Sequence, residues 1–483
     1  MLTGFLNSPL GLGQVGRALA KAFRQAGVAF EAYDVPLRHL EAIADVQPIG
    51  DGSELGKEFP ICICSVNGEH LPSLARILGN EFFEARYIIG VWFWETPELP
   101  EAARKGVPYV NEIWTCSEFT ASSIRGSVAD VPVKVFPYPL TIGSPLLNLD
   151  LDGGFPRIAD DAFVYLFAFD FHSCVRRKNP EAVAASFCRA FPDPDPERAV
   201  CVIKSSNGGD YPLEWERLRG AFSHRPDVIF YDGFLPVGAM EALMNRSDCY
   251  VSLHRAEGFG LTLLEAMGWG KPCIATAYSG NMSFMSPDNS WLIPIEMRKV
   301  GPGSRHYPPT HIWGEPDLDV AVQAMLDCFA GGPEVKRRVE RAQQFVAERH
   351  DLMQAARAIR SLLVEASVRP PAVKKLPPLQ SNYERAREHL WRSVELERQL
   401  SEGKVAGWLR SRRVQMSTML KLFRENRRTS EMLLKAARER EGELAKRIAV
   451  LESQLEDTRK CLAELLRERQ SSVNGSADQE ALL

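Results

Sequence analysis

Short apolar runs alternate with longer stretches in which apolar residues recur every three or four positions, from the amino terminus to about residue 365. Runs of the first kind suit strands buried on both faces and the longer stretches suit covering helices, so the alternation predicts a parallel α/β architecture. Candidate strands in the first part are GFLN, VAFEAYDV, FPICICSV, YIIGVWFW, EIWTCS and VKVFPY. Near residue 150 the segment LNLDLDGGFPRIADD breaks the pattern, being rich in Asp and Gly. FVYLFAFDF then opens a second series that continues with AVCVIK, VIFYDG, CYVSL and PCIATA. Two Rossmann-like domains in series are expected, one over 1–150 and one over 151–367 that ends in a returning helix.

After Glu365 the composition changes. VRPPAVKKLPPLQ holds four prolines in thirteen residues, which predicts an extended linker over 368–380. Beyond it Glu, Arg, Lys, Leu and Ala dominate. Leu444, Ile448, Leu451, Leu455, Leu462 and Leu465 step by four and three, with Thr458 filling the gap, as an a/d seam does. A helical coiled-coil region over 381–470 is expected, serving self-association or partner docking, and a disordered end over 471–483. A single solvated amphipathic helix is the competing reading, since Val405, Leu409 and Met416 are less regular.

The chain's 483 residues exceed what one core usually serves. Its apolar fraction of 45% and charged fraction of 25% are those of an ordinary soluble protein. A net charge of −4 gives no overall pull toward nucleic acid or an anionic membrane. No apolar run approaches the roughly eighteen residues that a membrane-spanning helix needs. Met1 to Ser8 lack the basic-then-apolar order of a signal peptide. Cys62, Cys64, Cys201 and Cys249 lie inside strand-like runs and no cysteine pair has matched zinc spacing, so reduced buried thiols are expected. A cytoplasmic location follows, with peripheral association at the inner membrane face as an extension. The opening strand is short, which leaves room for a start upstream of Met1.

Three segments carry candidate chemistry. GLGQVGR places Gly11 and Gly13 where backbone could approach an anion at a helix N-terminus, and Glu31 or Asp34 could then hold a ribose as in a dinucleotide fingerprint. Four residues, Asn7 to Leu10, separate that glycine from the strand, which the fingerprint does not allow; glycines serving only helix–strand packing would look the same. SLHRAEGFGLTLLEAM is more specific. Strand CYVSL delivers His254, Arg255 and Glu257 to its C-terminal edge, Gly258, Phe259 and Gly260 follow, and a helix bears Glu265. Ligand crevices in such sheets open at this edge, where amides can meet negative charge and two carboxylates can meet hydroxyls. The bland alternative is a helix whose N-terminal Glu complements its dipole while Glu265 stays solvated. RRKN concentrates Arg176, Arg177 and Lys178 at a strand-to-helix loop, where a departing phosphate would need charge. Lys204 ends strand AVCVIK as a third cation or as a snorkelling surface lysine. Asp193 and Asp195 sit in the proline-spaced loop FPDPDPER, so no metal site is expected.

The SLHRAEGFGLTLLEAM segment resembles the E-x7-E signature of retaining GT-B glycosyltransferases of family 4, and GLGQVGR, RRKNPEAVAASFCRAF, YDGFLPVGAMEALMNRSDCYVSL and WGEPDLD extend the resemblance over most of 1–365. The tail lies outside it. The resemblance implies a nucleoside diphosphate sugar as donor substrate with no separate cofactor, and a glycan or lipid-linked acceptor. It also implies Glu257 at the transferred sugar, Glu265 at the ribose, Lys178 and less directly Arg177 at the diphosphate, and the base against Gly233, Phe234 and Leu235. Two departures stand out. Asp170 stands close to the place expected for an arginine, whose role then falls to Arg176 or Arg177, and VWFWETPELP replaces a strand followed by histidine, leaving Trp94 and Glu95 at that edge. Glu95 is then either an acceptor-binding carboxylate or a buried strand-end carboxylate satisfied by backbone; His70 in SVNGEH is a weaker candidate. A glycogen-synthase-like or phosphorylase-like enzyme is the rival in the same fold, lacking here any pyridoxal-phosphate lysine motif. A degenerate transferase acting as a coiled-coil assembly scaffold is the non-enzymatic rival.

Overall fold

The computed structural model describes residues 1–8, 11–35, 59–143, 155–304, 307–369 and 376–377. These residues belong to one compact unit, Met1–Pro377. The expected coiled coil and disordered end, over 381–483, lie outside the described residues, as does most of the proline-rich linker.

Two parallel sheets form. In the first, β1 (Leu2–Gly4), β2 (Ala32–Asp34), β3 (Ile61–Ser65), β4 (Tyr87–Val91), β5 (Glu112–Thr115) and β6 (Val133–Val135) stand in the order β2-β1-β3-β4-β5-β6. In the second, β7 (Phe163–Asp170), β8 (Ala199–Ser206), β9 (Val228–Asp232), β10 (Cys249–Ser252), β11 (Cys273–Thr276) and β12 (Trp291–Ile293) stand in the order β12-β11-β10-β7-β8-β9. Both orders reverse beside the first strand of the sheet, the doubly wound arrangement that opens a crevice at the strands' carboxyl ends. Strands Tyr87–Val91 and Ala199–Ser206 are buried at every position, as expected where helices cover both faces. The expected α/β fold of two Rossmann-like domains is therefore present.

Three differences from the sequence reading have physical causes. The opening strand is LTG rather than GFLN, and Phe5 to Asn7 already turn away from the sheet. GLGQVGR is not a loop ahead of the helix but its first two turns, since the helix spans Gly11–Gln25. Val15, Ala18, Leu19, Ala22 and Phe23 form its buried stripe, and this packing overrides the poor helix propensity of three glycines. Lastly, β13 (Ile295–Lys299) and β14 (Ile312–Pro316) form an antiparallel hairpin with no counterpart in the sequence reading. Glu296 to Lys299 are exposed, so the strand lacks the apolar pattern that announces one.

The two domains meet over a continuous interior. The hairpin carries Val300, Tyr307 and Trp313 into the same buried cluster as Trp92, Trp94, Leu99 and Ala103 of the first domain. Helix Leu352–Ser367, capped by Asp351, returns to pack against helix Gly11–Gln25. After it, Arg369 pairs with the buried Glu112 at 3.0 Å, and Glu112 also accepts from Tyr87 and Trp114. The described cysteines form no disulfide, and seven of the nine are buried.

Candidate active site

A cleft of about 960 Å³ lies between the carboxyl ends of the two sheets, within the range common for small-molecule sites. Its second-domain wall is built from the RRKN turn and the loop after β10, which are fastened to each other. Arg177 closes the amide of Arg255 onto its carbonyl at 2.8 Å, and Asn179 donates its side-chain amide to Leu253 O at 2.9 Å. Asn179 can end the short helix Val175–Lys178 because it adopts a left-handed backbone at φ 57°. Behind them Arg255 grips Glu315 of β14 with two hydrogen bonds, at 2.6 and 2.8 Å, and Trp313 lies against both Arg176 and Arg255.

This bracing brings the expected residues together. Glu257 is 8% exposed; one carboxylate oxygen meets Lys178 Nζ, and the other lies 3.2 Å from Arg177. Burial alone would raise its pKa, but the charges of Lys178 and Arg177 outweigh that and hold it at about 2. The Glu257 amide donates to Ser279 Oγ at 2.7 Å, and Gly280 donates back to the Glu257 carbonyl at 2.8 Å. Gly280 must be glycine, because a Cβ there would stand 2.2 Å from Gly258 O. Gly258, Phe259 and Gly260 then run into helix Leu261–Gly268, with Gly260 at φ 97°. Glu265 lines the same cleft one helix further in and accepts a hydrogen bond from Gln14 of the first domain. Burial raises its carboxyl to about 7, against which the Gln14 hydrogen bond works in the opposite direction.

The other sequence candidates divide between the cleft lining and the structure behind it. Arg177 is 3% exposed and turned inward: it donates to Ala256 O and Ser173 O and faces Glu257 and Glu95. It therefore holds Glu257 from behind while still lining the cleft. Arg176 points away, donating to Val300 O and Pro302 O of the hairpin loop. His254 lies under the loop, fully buried, between Ser252 Oγ at 2.9 Å and Asn281 Oδ1 at 3.1 Å; burial drops its pKa to about 4, so it is a neutral brace rather than a ligand-binding group. Gly13 faces the preceding loop, where a Cβ would come within 2.3 Å of Ser8 O, so its role is packing; Gly11 does line the cleft. Asp34, the ribose candidate of the dinucleotide reading, is occupied by the amide and side chain of Asn7. Phe234 and Leu235 line the cleft, as does Lys204, whereas Gly233 continues the sheet edge by donating to Ser205 O. Asp170 accepts from the His172 amide and Asn207 and so stabilises the turn after β7. Lys178 and Glu257 both line the cleft, as do Phe259, Gly258 and Gly260. Glu95 is satisfied by side chains and not by backbone, receiving Tyr307 OH at 2.9 Å and facing Arg177 at 3.7 Å. His70 lines the cleft with its ring edge-on to Phe5.

Sequence reasoning missed the groups that cross between domains. Ser117 and Thr120, on the first turn of helix Glu118–Ser127 and its cap, donate to Gly258 O at 2.6 and 3.0 Å. Tyr307 reaches Glu95, and His311 meets Thr96 Oγ1 at 2.8 Å. Gln14 reaches Glu265. No local signal marks these residues, because each partner lies more than 130 positions away along the chain.

Residues 173–296 match the family described as glycosyl transferases group 1, a span that includes the RRKN turn, Glu257 and Glu265. Over these residues the chain is similar to that family. Solved structures share the whole two-domain arrangement. A glycosyltransferase from Rickettsia africae ESF-5 is 13% identical, at TM-score 0.53, over 76% of this chain and 98% of that one. Anabaena Alr3699/HepE in complex with UDP-glucose is 16% identical, at TM-score 0.52, over 75% and 99%. The two-sheet architecture is thus the GT-B fold. The likeness to S. aureus TarM is looser, with TM-score 0.44 and 12% identity, and the chain spans 55% of that protein's length. No curated protein sequence matches the chain significantly. Among the described residues, no helix is long and apolar enough to cross a membrane.

Proposed function

We propose that this chain is a retaining glycosyltransferase that moves a hexosyl group from a nucleoside diphosphate sugar to a glycan or lipid-linked acceptor, in cell-surface polysaccharide synthesis. The observation that carries the reading is the convergence of Lys178, Glu257, Glu265 and the Gly258–Gly260 amides on one wall of the cleft. The UDP-glucose held by the Anabaena protein of the same fold supports this donor class. In this reading Lys178 and the amides at the start of helix Leu261–Gly268 receive negative charge as the anomeric C–O(phosphate) bond breaks. The acceptor oxygen bonds to the anomeric carbon on the face the phosphate leaves, and its proton passes to a departing phosphate oxygen. Glu257, held ionised by Lys178 and Arg177, orients the sugar through its hydroxyls. Glu265 takes the ribose, and Phe234 with Leu235 flanks the base.

Screening nucleoside diphosphate sugars by thermal shift identifies the donor, since a ligand of the folded state raises the midpoint. Proton NMR of the first-formed product then reads its anomeric configuration. Retention supports the proposal; inversion, or no nucleotide release with any donor, overturns it. The a/d seam from Leu444 to Leu465 supports self-association, which serves docking to a polysaccharide assembly at the inner membrane face. Light scattering of the full chain carrying Leu451→Asp tests this: a fall in mass is expected, and an unchanged mass refutes it.

A further inference from the structure

We infer that Lys204 is the cation that reads the second phosphate of the donor, from the strand beside the one that Asp170 ends. This rests on the nucleoside diphosphate reading of the cleft. Lys204 stands near the carboxyl end of β8, in register with Ala168 of β7, two residues before Asp170. It is 9% exposed and lines the same cleft as Lys178 and Phe234. Among the described residues its ammonium makes no hydrogen bond and no ion pair.

The two carboxylates that influence it electrostatically are engaged elsewhere. Asp170 accepts from His172 and Asn207, while Asp232 accepts from Ser205 Oγ at 2.8 Å and the Gly208 amide at 3.1 Å. A buried charge without a partner is costly, and a fold keeps one where a ligand supplies the counter-charge. The other second-domain cations at this wall are already held: Arg177 by Ala256 O, Ser173 O and Glu257, and Lys178 by Glu257. Lys204 is the second-domain cation at this wall that no carboxylate or carbonyl among the described residues pairs, so it can meet a phosphate in addition to the one at Lys178. Sited on β8 and not on the RRKN turn, it adds a second point of attachment for phosphate. It therefore discriminates nucleoside diphosphates from monophosphates.

The experiment is calorimetric titration of the full chain with UDP, GDP and ADP and their matched monophosphates, for the unsubstituted protein and for Lys204→Met and Lys204→Arg. Losing a charge-assisted hydrogen bond weakens binding about tenfold to a hundredfold. Lys204→Met is expected to weaken the binding diphosphate by that factor, to change its monophosphate by less than about twofold, and to leave the thermal midpoint of the ligand-free protein unchanged or higher. Lys204→Arg retains most of the preference. Equal weakening of diphosphate and monophosphate, or unchanged diphosphate binding, overturns the assignment. Failure of the unsubstituted protein to bind any of the nucleotides overturns instead the donor reading beneath it. A lowered midpoint with Lys204→Met would show that the lysine supports the fold and not the ligand.

Discussion

Glu265 offers a test whose size follows from its surroundings. Its carboxyl is held at about 7 in the free protein because it is half-buried in the cleft wall, where the Gln14 hydrogen bond only partly offsets desolvation. The raised pKa means that protonation favours the folded state. That contribution is full below the ordinary carboxyl value of 4.5 and is lost as pH climbs through about 7. A ribose diol, by contrast, donates hydrogen bonds and requires the carboxylate. With a pKa of about 7, the ratio of ionised to protonated carboxyl is about 1:10 at pH 6 and about 10:1 at pH 8. Donor affinity should then rise about tenfold between those pH values, about 1.4 kcal/mol, and binding at pH 6 should release about 0.9 proton per site. A nucleotide sugar is the ligand to use, because the terminal phosphate of a free nucleotide itself titrates near pH 6. Calorimetry at pH 6, 7 and 8, in buffers of different ionisation enthalpy, measures both quantities. Glu265→Gln should flatten the profile. A flat profile in the unsubstituted protein, or an unaltered slope in Glu265→Gln, would refute the reasoning.

Further outcomes follow from the same wall. Lys178→Ala should lower sugar transfer by two orders of magnitude or more, as the loss of one well-placed donor worth about 3–4 kcal/mol implies, with the circular dichroism spectrum unchanged; near-normal steady-state rates would remove Lys178 from the site. Gln14→Ala should tighten donor binding about two- to tenfold, because the ribose no longer competes with a hydrogen bond worth about 0.5–1.5 kcal/mol; weaker binding would mean that Gln14 touches the donor. Tyr307→Phe keeps the packing on Trp94 but leaves Glu95 short of a donor, so the thermal midpoint should drop by an amount matching about 1 kcal/mol while nucleotide affinity holds; an unchanged midpoint would count against the cross-domain strap.

What the sequence made legible is what short-range order determines. Lys178 and Glu257 each sit one strand end away from an apolar run that announces itself, and the parallel pairing of β7 with β10 brings those ends side by side. Glu257 precedes a glycine loop and Glu265 stands on the helix that follows it, so their nearness was legible from spacing, while their roles rested on the resemblance. Orientation within that order was less legible. Arg177 and Lys178 are adjacent, yet Arg177 turns inward to Ala256 O as well as to Glu257, while Lys178 meets Glu257 alone among the described residues. His254 looked like a site residue because it ends the right strand, but its ring is claimed by Ser252 and Asn281. Gln14, Ser117, Thr120, Tyr307 and His311 were invisible for a further reason. Their partners belong to the other domain, so their function exists only after the two sheets dock.

The most direct measurement is a crystal structure of the full chain soaked or grown with its nucleotide sugar. The account predicts the diphosphate within hydrogen-bonding reach of Lys178 and Lys204, the sugar hydroxyls at Glu257, and the ribose at Glu265 in place of Gln14. A nucleotide bound outside the cleft, or one inside it whose phosphates avoid both lysines, would contradict it.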